Sequence, residues 1–228
     1  MELTILMPCL NESATVTGCV REAAAYLKAR EIAGEVLVAD NGSSDNSREL
    51  AAAAGAQVIT VPEKGYGNAI RGGICAARGR YIIIGDCDGS YDFSELDPIL
   101  EKLRQGWHLV IGDRFSGGIM TDAMPFSHRY FGVPLLSWLG RCRFKVEISD
   151  FHCGLRGTTR AAALEVGLKC PGMEFATEMI GRFADGGFKI CQVPVQLRKD
   201  SRHGPGHLRT LPDGIRHLML MLFWKNAQ

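Results

Sequence analysis

Five short β-branched or apolar runs punctuate the first half of the chain: LTILMP (3–8), EVLVAD (35–40), QVITV (57–61), RYIIIGD (80–86) and HLVIGD (108–113). Helical stretches separate them. Residues 12–30 place Val16, Cys19, Val20, Ala23 and Leu27 on one face at helical spacing. An alanine-rich stretch over 46–54 stops at Gly55, and 67–78 and 94–104 complete the set. Strands that are apolar along their whole length are buried on both faces, and strands alternating with helices pair in parallel. The pattern therefore predicts an α/β fold: a Rossmann-like, mostly parallel central sheet with helices on both faces. A length of 228 residues suits a single domain. Sheets of this kind bind their ligands at the carboxyl ends of the strands, so the polar residues that end these runs are the ones to examine.

The second half is less regular. Residues 114–160 are rich in Gly, Pro, aromatics and Arg, with a helix expected near 129–141 and another near 174–185. FKICQVPVQL (188–197) alternates and contains Pro194, which marks an edge strand. A basic Gly/Pro loop, KDSRHGPGHLR (199–209), leads into a final helix from about 211. A formal net charge of +1 provides no bulk field for nucleic acid. The eight cysteines show neither a CxxC pair nor zinc-ligand spacing, and several lie in apolar runs. Read as reduced, they place the chain in the cytoplasm. Met1 to Pro8 meets polar sequence too early for a secretory leader, and no apolar run approaches the roughly 20 residues that span a bilayer.

Asp86 and Asp88 follow Ile82–Ile84 directly. At strand period both carboxylates face one spot, and two like charges held together call for a positive partner. Mg²⁺ or Mn²⁺ is the simplest, since hard cations take oxygen ligands and Mg²⁺ is usually held by one or two carboxylates plus substrate phosphates; a solvated turn would also use Asp and Gly. Asp40 ends the second strand in ADNGSSDNS, at the same sheet edge, where an acidic side chain can bond a base or ribose. Plain turn chemistry explains Asn41, Gly42 and Ser44 there but does not require Asp40. In MPCLNE (7–12) Pro8 breaks the first strand and Asn11 and Glu12 lie at the mouth of the first helix. No glycine follows, so no dinucleotide fingerprint is present. EKGYGNAIRGG (63–73), with Gly65, forms a Gly-rich loop into a helix whose amides suit a phosphate, although a plain helix start reads the same way.

Together these stretches resemble the family 2 glycosyltransferases of the GT-A fold. That family's Pro-x-x-Asn-Glu, Asp-Asp-Gly-Ser-x-Asp, Gly-rich helix start and Asp-x-Asp correspond in order and spacing to PCLNE, DNGSSD, GYGNAIRGG and DCD. Downstream, GDRF (112–115), DFHCGLRG (150–157), MEFATEM (173–179) and RHGPGHLR (202–209) are similar to the branch that makes polyprenyl-phosphate sugars, such as dolichol-phosphate mannose or glucose synthases. The resemblance implies one GT-A domain over 1–228. Within it, 1–115 binds the nucleotide-sugar donor, 116–210 binds the acceptor, and 211–228 is a C-terminal helix near the membrane.

By the same resemblance, Pro8, Asn11, Glu12 and Asp40 line the nucleotide pocket. Asp86 and Asp88 hold the metal on the donor diphosphate with Ser90 nearby. Arg114 and Arg129 contact an acceptor phosphate, and Arg202 closes on phosphate from the late loop. Asn41 stands where the family usually has a second Asp, and many relatives continue into membrane helices beyond the point where this chain ends.

The chemistry is consistent with this. Breaking a sugar–phosphate bond leaves charge on a nucleoside diphosphate, which a metal between Asp86 and Asp88 stabilises and arginines engage with fixed geometry. A lipid phosphate acceptor is already a nucleophile; a hydroxyl acceptor needs a carboxylate to take its proton, and Asp150 is the candidate. Its bland alternative is a contact to backbone or to Arg156. His152, two residues from Asp150, reads more simply as a structural histidine. The apolar run Leu218 to Trp224, flanked by Arg216, His217 and Lys225, either lies at a membrane surface or packs on the core or a second copy of the chain. Two other classes fit parts of the sequence. DCDGS is similar to the nucleophile loop of haloacid dehalogenase phosphatases, but several strand–helix units precede it; and a sugar-nucleotide-binding module would bind UDP or GDP without turnover.

Overall fold

A computed structural model describes residues 1–201 and 210–224. The elements run β1 (Leu3–Cys9), α1 (Val16–Ala29), β2 (Gly34–Asp40), α2 (Ser47–Ala53), β3 (Gln57–Thr60), α3 (Tyr66–Ala76), β4 (Tyr81–Ile84), α4 (Asp97–Arg104), β5 (Leu109–Asp113) and α5 (Arg114–Gly117). A π-helical turn (His128–Gly132) then opens α6 (Val133–Phe144), followed by β6 (Arg156–Thr159), α7 (Arg160–Glu165), α8 (Phe175–Asp185), β7 (Ile190–Pro194) and α9 (Thr210–Leu222). The seven strands form one sheet in the order β3-β2-β1-β4-β6-β5-β7, parallel throughout except for β6.

Although β3, at the sheet edge, is only half-buried or exposed along its length, the five runs are strands, as their patterning predicts. The centre of β4 shows why: Ile82, Ile83 and Ile84 are each 0% exposed, and full burial of such a side chain contributes roughly 2 kcal/mol. Alternate residues of β1 face opposite helices. Leu6 lies under Gly73 of α3, whereas Gly34, the register partner of Leu3, lies under Leu27 of α1. Gly157 of β6 faces Ile99 and Leu103 of α4. Its partner Ile83 pairs in turn with Ile5, so α4 shares the α1 side of the sheet, and Tyr26 of α1 and Arg30, which caps its end, both bond Asp97. The helices thus cover both faces.

Three local readings change. Pro8 does not break β1, which continues to Cys9. The β1–β4 ladder stops at Leu6–Ile84, and the carbonyl of Pro8 points to that vacated side, where it accepts the Cys87 thiol at 3.2 Å. The missing proline N–H therefore costs no ladder bond. β6 is the second change: the RGTT run has none of the apolar signal of its neighbours, yet it bridges β4 and β5. The helix expected near 129–141 is the third, being a π turn followed by α6 as far as Phe144. Pro194 ends β7 on the sheet edge, as expected. All eight cysteines are free.

Candidate functional site

The parallel strands β1, β2, β4 and β5 deliver Cys9, Asp40, Ile84 and Asp113 to one rim of the sheet. Because β6 runs the other way, its first residue, Arg156, sits beside Ile84 and Ile111 at that same rim. The preceding loop, 150–155, is thereby drawn into the site.

At the end of β2, Asp40 is 0% exposed and its carboxylate accepts the amides of Gly42 at 3.0 Å and Ser43 at 3.2 Å. The turn does use Asp40, contrary to the simple turn reading. Asn41 binds the neighbouring loop. Its amide group donates to the carbonyls of Val61 at 3.0 Å and Glu63 at 2.8 Å, and its Oδ1 accepts the amide of Gly65 at 2.7 Å. An aspartate there has no N–H to give, so the departure from the family pattern has a structural use. Asn11, at φ 57°, occupies the left-handed region that Asn tolerates better than most residues; its Oδ1 accepts the Ser44 amide at 2.8 Å. Glu12 is buried, and its amide donates to Ser47 Oγ at 2.8 Å.

The Gly-rich loop is not an open phosphate cradle. Gly65 N is committed to Asn41, and the amides of Gly67 and Asn68 donate to the carbonyl of Pro171 at 2.9 and 3.3 Å. A Cβ on Gly65 or Gly67 would lie 2.2 Å from Pro171 O or 2.1 Å from Cys170 O, so these glycines permit close backbone packing.

The acidic pair lies just beyond β4, on a turn rather than on the strand itself. The hydroxyl of Tyr66, the first residue of α3, donates to Asp86 Oδ1 at 3.0 Å. Burial, then the charges of Asp86 and of Asp88, push the Tyr66 phenol well above its usual range, which keeps it a donor. Asp88 is 8% exposed, and its Oδ1 accepts the Ser90 amide at 2.9 Å. Gly154, whose amide donates to Tyr91 Oη at 2.8 Å, leaves the room that Asp86 fills: a Cβ there would lie 2.3 Å from Asp86 Oδ2. The late chain docks on the same turn, with Arg198 N bonded to Ser90 O at 2.9 Å and Ser201 N to Asp88 O at 3.1 Å. Arg202, the next residue, lies outside the described residues, as do His203, His207 and Lys225.

Among the described residues no group of three His, Cys, Asp or Glu side chains converges to hold a metal ion. Two carboxylates with hard oxygen donors nevertheless fit Mg²⁺ or Mn²⁺, whose remaining positions substrate phosphates and water complete.

At the end of β5, Asp113 caps α5 by accepting the amides of Phe115 and Ser116 at 3.0 and 3.2 Å. That cap turns Arg114 inward. Its Nε and Nη2 donate to the two oxygens of Asp150 at 2.6 and 2.7 Å, with Arg114 8% and Asp150 0% exposed. Asp150 therefore pairs with Arg114; Arg156 instead donates to the carbonyls of Phe151, Cys153 and Ala176. Arg129 lies on the π turn against the ring of Tyr130, 5.5 Å from its centroid. Tyr66 lies within EKGYGNAIRGG, Gly154 within DFHCGLRG and Tyr91 just after DCDGS, without a chemical signal of their own; only the sheet topology shows their part.

The model of the family described as "Glycosyl transferase family 2" matches residues 4–167. The low-salt glycan biosynthesis hexosyltransferase of Haloferax volcanii is 38% identical over 96% of this chain; the chain spans 53% of that protein's length. The dolichyl-phosphate hexose transferase of the same organism is 26% identical, covering 87% of this chain and 83% of that one. Among solved structures, glucosyl-3-phosphoglycerate synthase from Mycobacterium tuberculosis, crystallised with Mn²⁺, UDP and phosphoglyceric acid, superposes with a TM-score of 0.72 at 24% identity, covering 97% of this chain and 77% of that one. The fold is that of the GT-A glycosyltransferases.

Proposed function

The chain belongs to glycosyl transferase family 2, and from that premise and the geometry of the rim we propose that it moves a hexosyl group from a UDP- or GDP-sugar to a polyprenyl phosphate, inverting the anomeric carbon. The observation that carries the choice of acceptor is the Arg114–Asp150 pair. A hydroxyl acceptor needs a general base. The residue best placed for that task by sequence is fully buried, with both oxygens bonded to a guanidinium. An ionised phosphate needs no base, and a pre-oriented arginine suits it. The dolichyl-phosphate hexose transferase relative, aligned over most of both chains, supports the same acceptor class.

In this reading Asn11, Glu12 and Asp40, with Pro8 beneath them, shape the nucleotide end, and Asn41 fixes the wall formed by residues 61–65. Tyr66 and the Ser90 amide orient Asp86 and Asp88, the two residues that would hold Mg²⁺ or Mn²⁺. A cation bound there supplies Lewis-acid stabilisation of the diphosphate's charge. The acceptor oxygen, held by Arg114 with Arg129 toward the lipid side, attacks the anomeric carbon as its bond to the donor phosphate breaks. The electron pair leaves with the nucleoside diphosphate. Arg202 is proposed to close over the phosphates. The protein works at the cytoplasmic face of a membrane, with α9 seated at the lipid surface. No described helix is long and apolar enough to cross a membrane.

The test is release of nucleoside diphosphate from UDP- and GDP-hexoses with Mn²⁺ and a short-chain polyprenyl phosphate. Release that depends on both cation and lipid phosphate is expected. Asp88→Asn, which keeps the bond to Ser90 N, should lower it at least about a hundredfold with the melting temperature retained. Equal turnover with a hydroxyl acceptor, or a fully active Asp88 variant, would remove the proposal.

A further inference from the structure

Among the described residues, the large apolar side chains left exposed fall, all but Met1 and Leu164, in two segments: 115–138 and 211–223. The second segment is α9, already given to the lipid surface. The first has no assigned partner, and it is organised. Phe126 stacks near Tyr130 and Phe131, with ring centroids 4.6 and 6.2 Å apart. Phe131, Leu135 and Trp138 then recur at helical spacing along the π turn and α6, at 65%, 57% and 51% exposure. The opposite side of α6 is spent on the protein: Ser137, Gly140 and Phe144 are buried, and Phe144 meets Trp224 edge to face at 4.9 Å. The outward stripe is therefore surplus to the fold.

Its charge is one-sided. Within 114–145 the charged residues are Arg114, Arg129, Arg141, Arg143 and Lys145 against the single acid Asp122, in a chain whose net charge is only +1. Arg141 and Lys145 are exposed at the end of the stripe. Tryptophan, tyrosine and phenylalanine beside basic side chains suit the boundary between headgroups and acyl chains, where the rings meet the apolar edge and the cations meet lipid phosphates. The patch also begins beside the site: Phe115, 38% exposed, is the residue after Arg114.

We propose that the aromatic turn and the outer stripe of α6 form a docking surface for an anionic lipid bilayer, separate from α9. The choice of a bilayer over a protein partner rests in part on the lipid-phosphate acceptor proposed above. Two separate contacts hold the protein more firmly than either alone, and this one holds the entrance beside Arg114 against the surface from which a polyprenyl phosphate arrives.

The binding measurement needs neither donor nor acceptor. The full chain is mixed with vesicles of phosphatidylcholine, alone or with phosphatidylglycerol, and sedimented. Salt-sensitive binding to the anionic vesicles is expected. Lipids brominated in the acyl chains should quench tryptophan emission, and Trp138→Phe should remove that quenching while leaving binding in place. The pair Phe131→Ser and Trp138→Ser should weaken binding by about tenfold or more, with an unchanged melting curve because both side chains are exposed. The proposal is overturned if vesicles do not bind, if the double variant binds as well as the parent, or if light scattering without lipid shows a dimer that the double variant abolishes. A parent protein that transfers hexose to a short-chain acceptor but does not bind vesicles removes the docking surface alone. Vesicle binding without transfer removes the enzymatic reading alone.

Discussion

The imidazole rings of His152 and His217 meet edge to face, 84° between planes and 4.4 Å between centroids. His217 belongs to α9, and its Nδ1 lies 2.8 Å from Thr177 Oγ1 of α8. His152 belongs to the loop that holds Arg114, and its amide donates to Asp150 Oδ1 at 3.3 Å. The last helix therefore touches the loop that carries the counter-charge of Arg114.

Both rings are held neutral, which gives a prediction about acid. Burial, then the charge of Arg156, lowers His217 to about 4, against an opposing pull from Asp213. Burial, then His217, Arg114 and Arg156, pushes His152 well below its ordinary value. The unfolded chain protonates His217 near 6.5, whereas the folded one resists until about 4. The unfolded state thus binds more protons in that window, and stability falls as the pH drops through it. The His217 contribution is at most about 3 kcal/mol. Melting temperatures recorded from neutral pH down to about 4 should fall less steeply in His217→Asn than in the parent; parallel slopes would refute the burial argument.

Asn41→Asp restores the family's usual residue and should still harm this protein. It removes two donated bonds and sets a carboxylate against the carbonyls of Val61 and Glu63. A loss of about 1–3 kcal/mol is expected, lowering the melting temperature by about 2–4 °C per kcal/mol at this size. A variant that melts at or above the parent would show that the side-chain bonds carry no net weight.

Gly154→Ala probes the seat of Asp86. The added methyl would lie 2.3 Å from Asp86 Oδ2, and this glycine has no positive φ to make alanine unwelcome for backbone reasons. The carboxylate must shift, so Mn²⁺-dependent stabilisation by UDP should weaken by about tenfold in apparent affinity, whereas the ligand-free protein keeps a cooperative melt. Unaltered Mn²⁺ and UDP titrations would mean that Asp86 has room to spare.

Much of this architecture was legible because its strands are monotonous. Ile82–Ile84 and Leu109–Ile111 declare buried strands by composition alone, and the polar residues that end them mark the rim. The remainder depends on pairings that no local pattern records. RGTT becomes a strand only because β4 and β5 leave a slot between them. Pro8 stays in β1 because its neighbour strand has already ended. Asp150 sits six residues before Arg156 and pairs instead with Arg114, 36 residues before it in sequence. The Gly-rich loop shows the opposite limit: its glycines were visible, but the carbonyls of Cys170 and Pro171 that occupy them lie a hundred residues downstream.

The position of β6 also bears on synthesis. Among the described residues β4 and β5 do not bond each other, and the neighbours of β5 are β6 and β7. A nascent chain that has left the ribosome as far as Asp113 can assemble β3-β2-β1-β4, but its fifth strand has no edge to join until Arg156–Thr159 emerges. The order in which the chain is made thus delays completion of the sheet until β6 has been translated, and a cut between β5 and β6 would leave β5 unmoored.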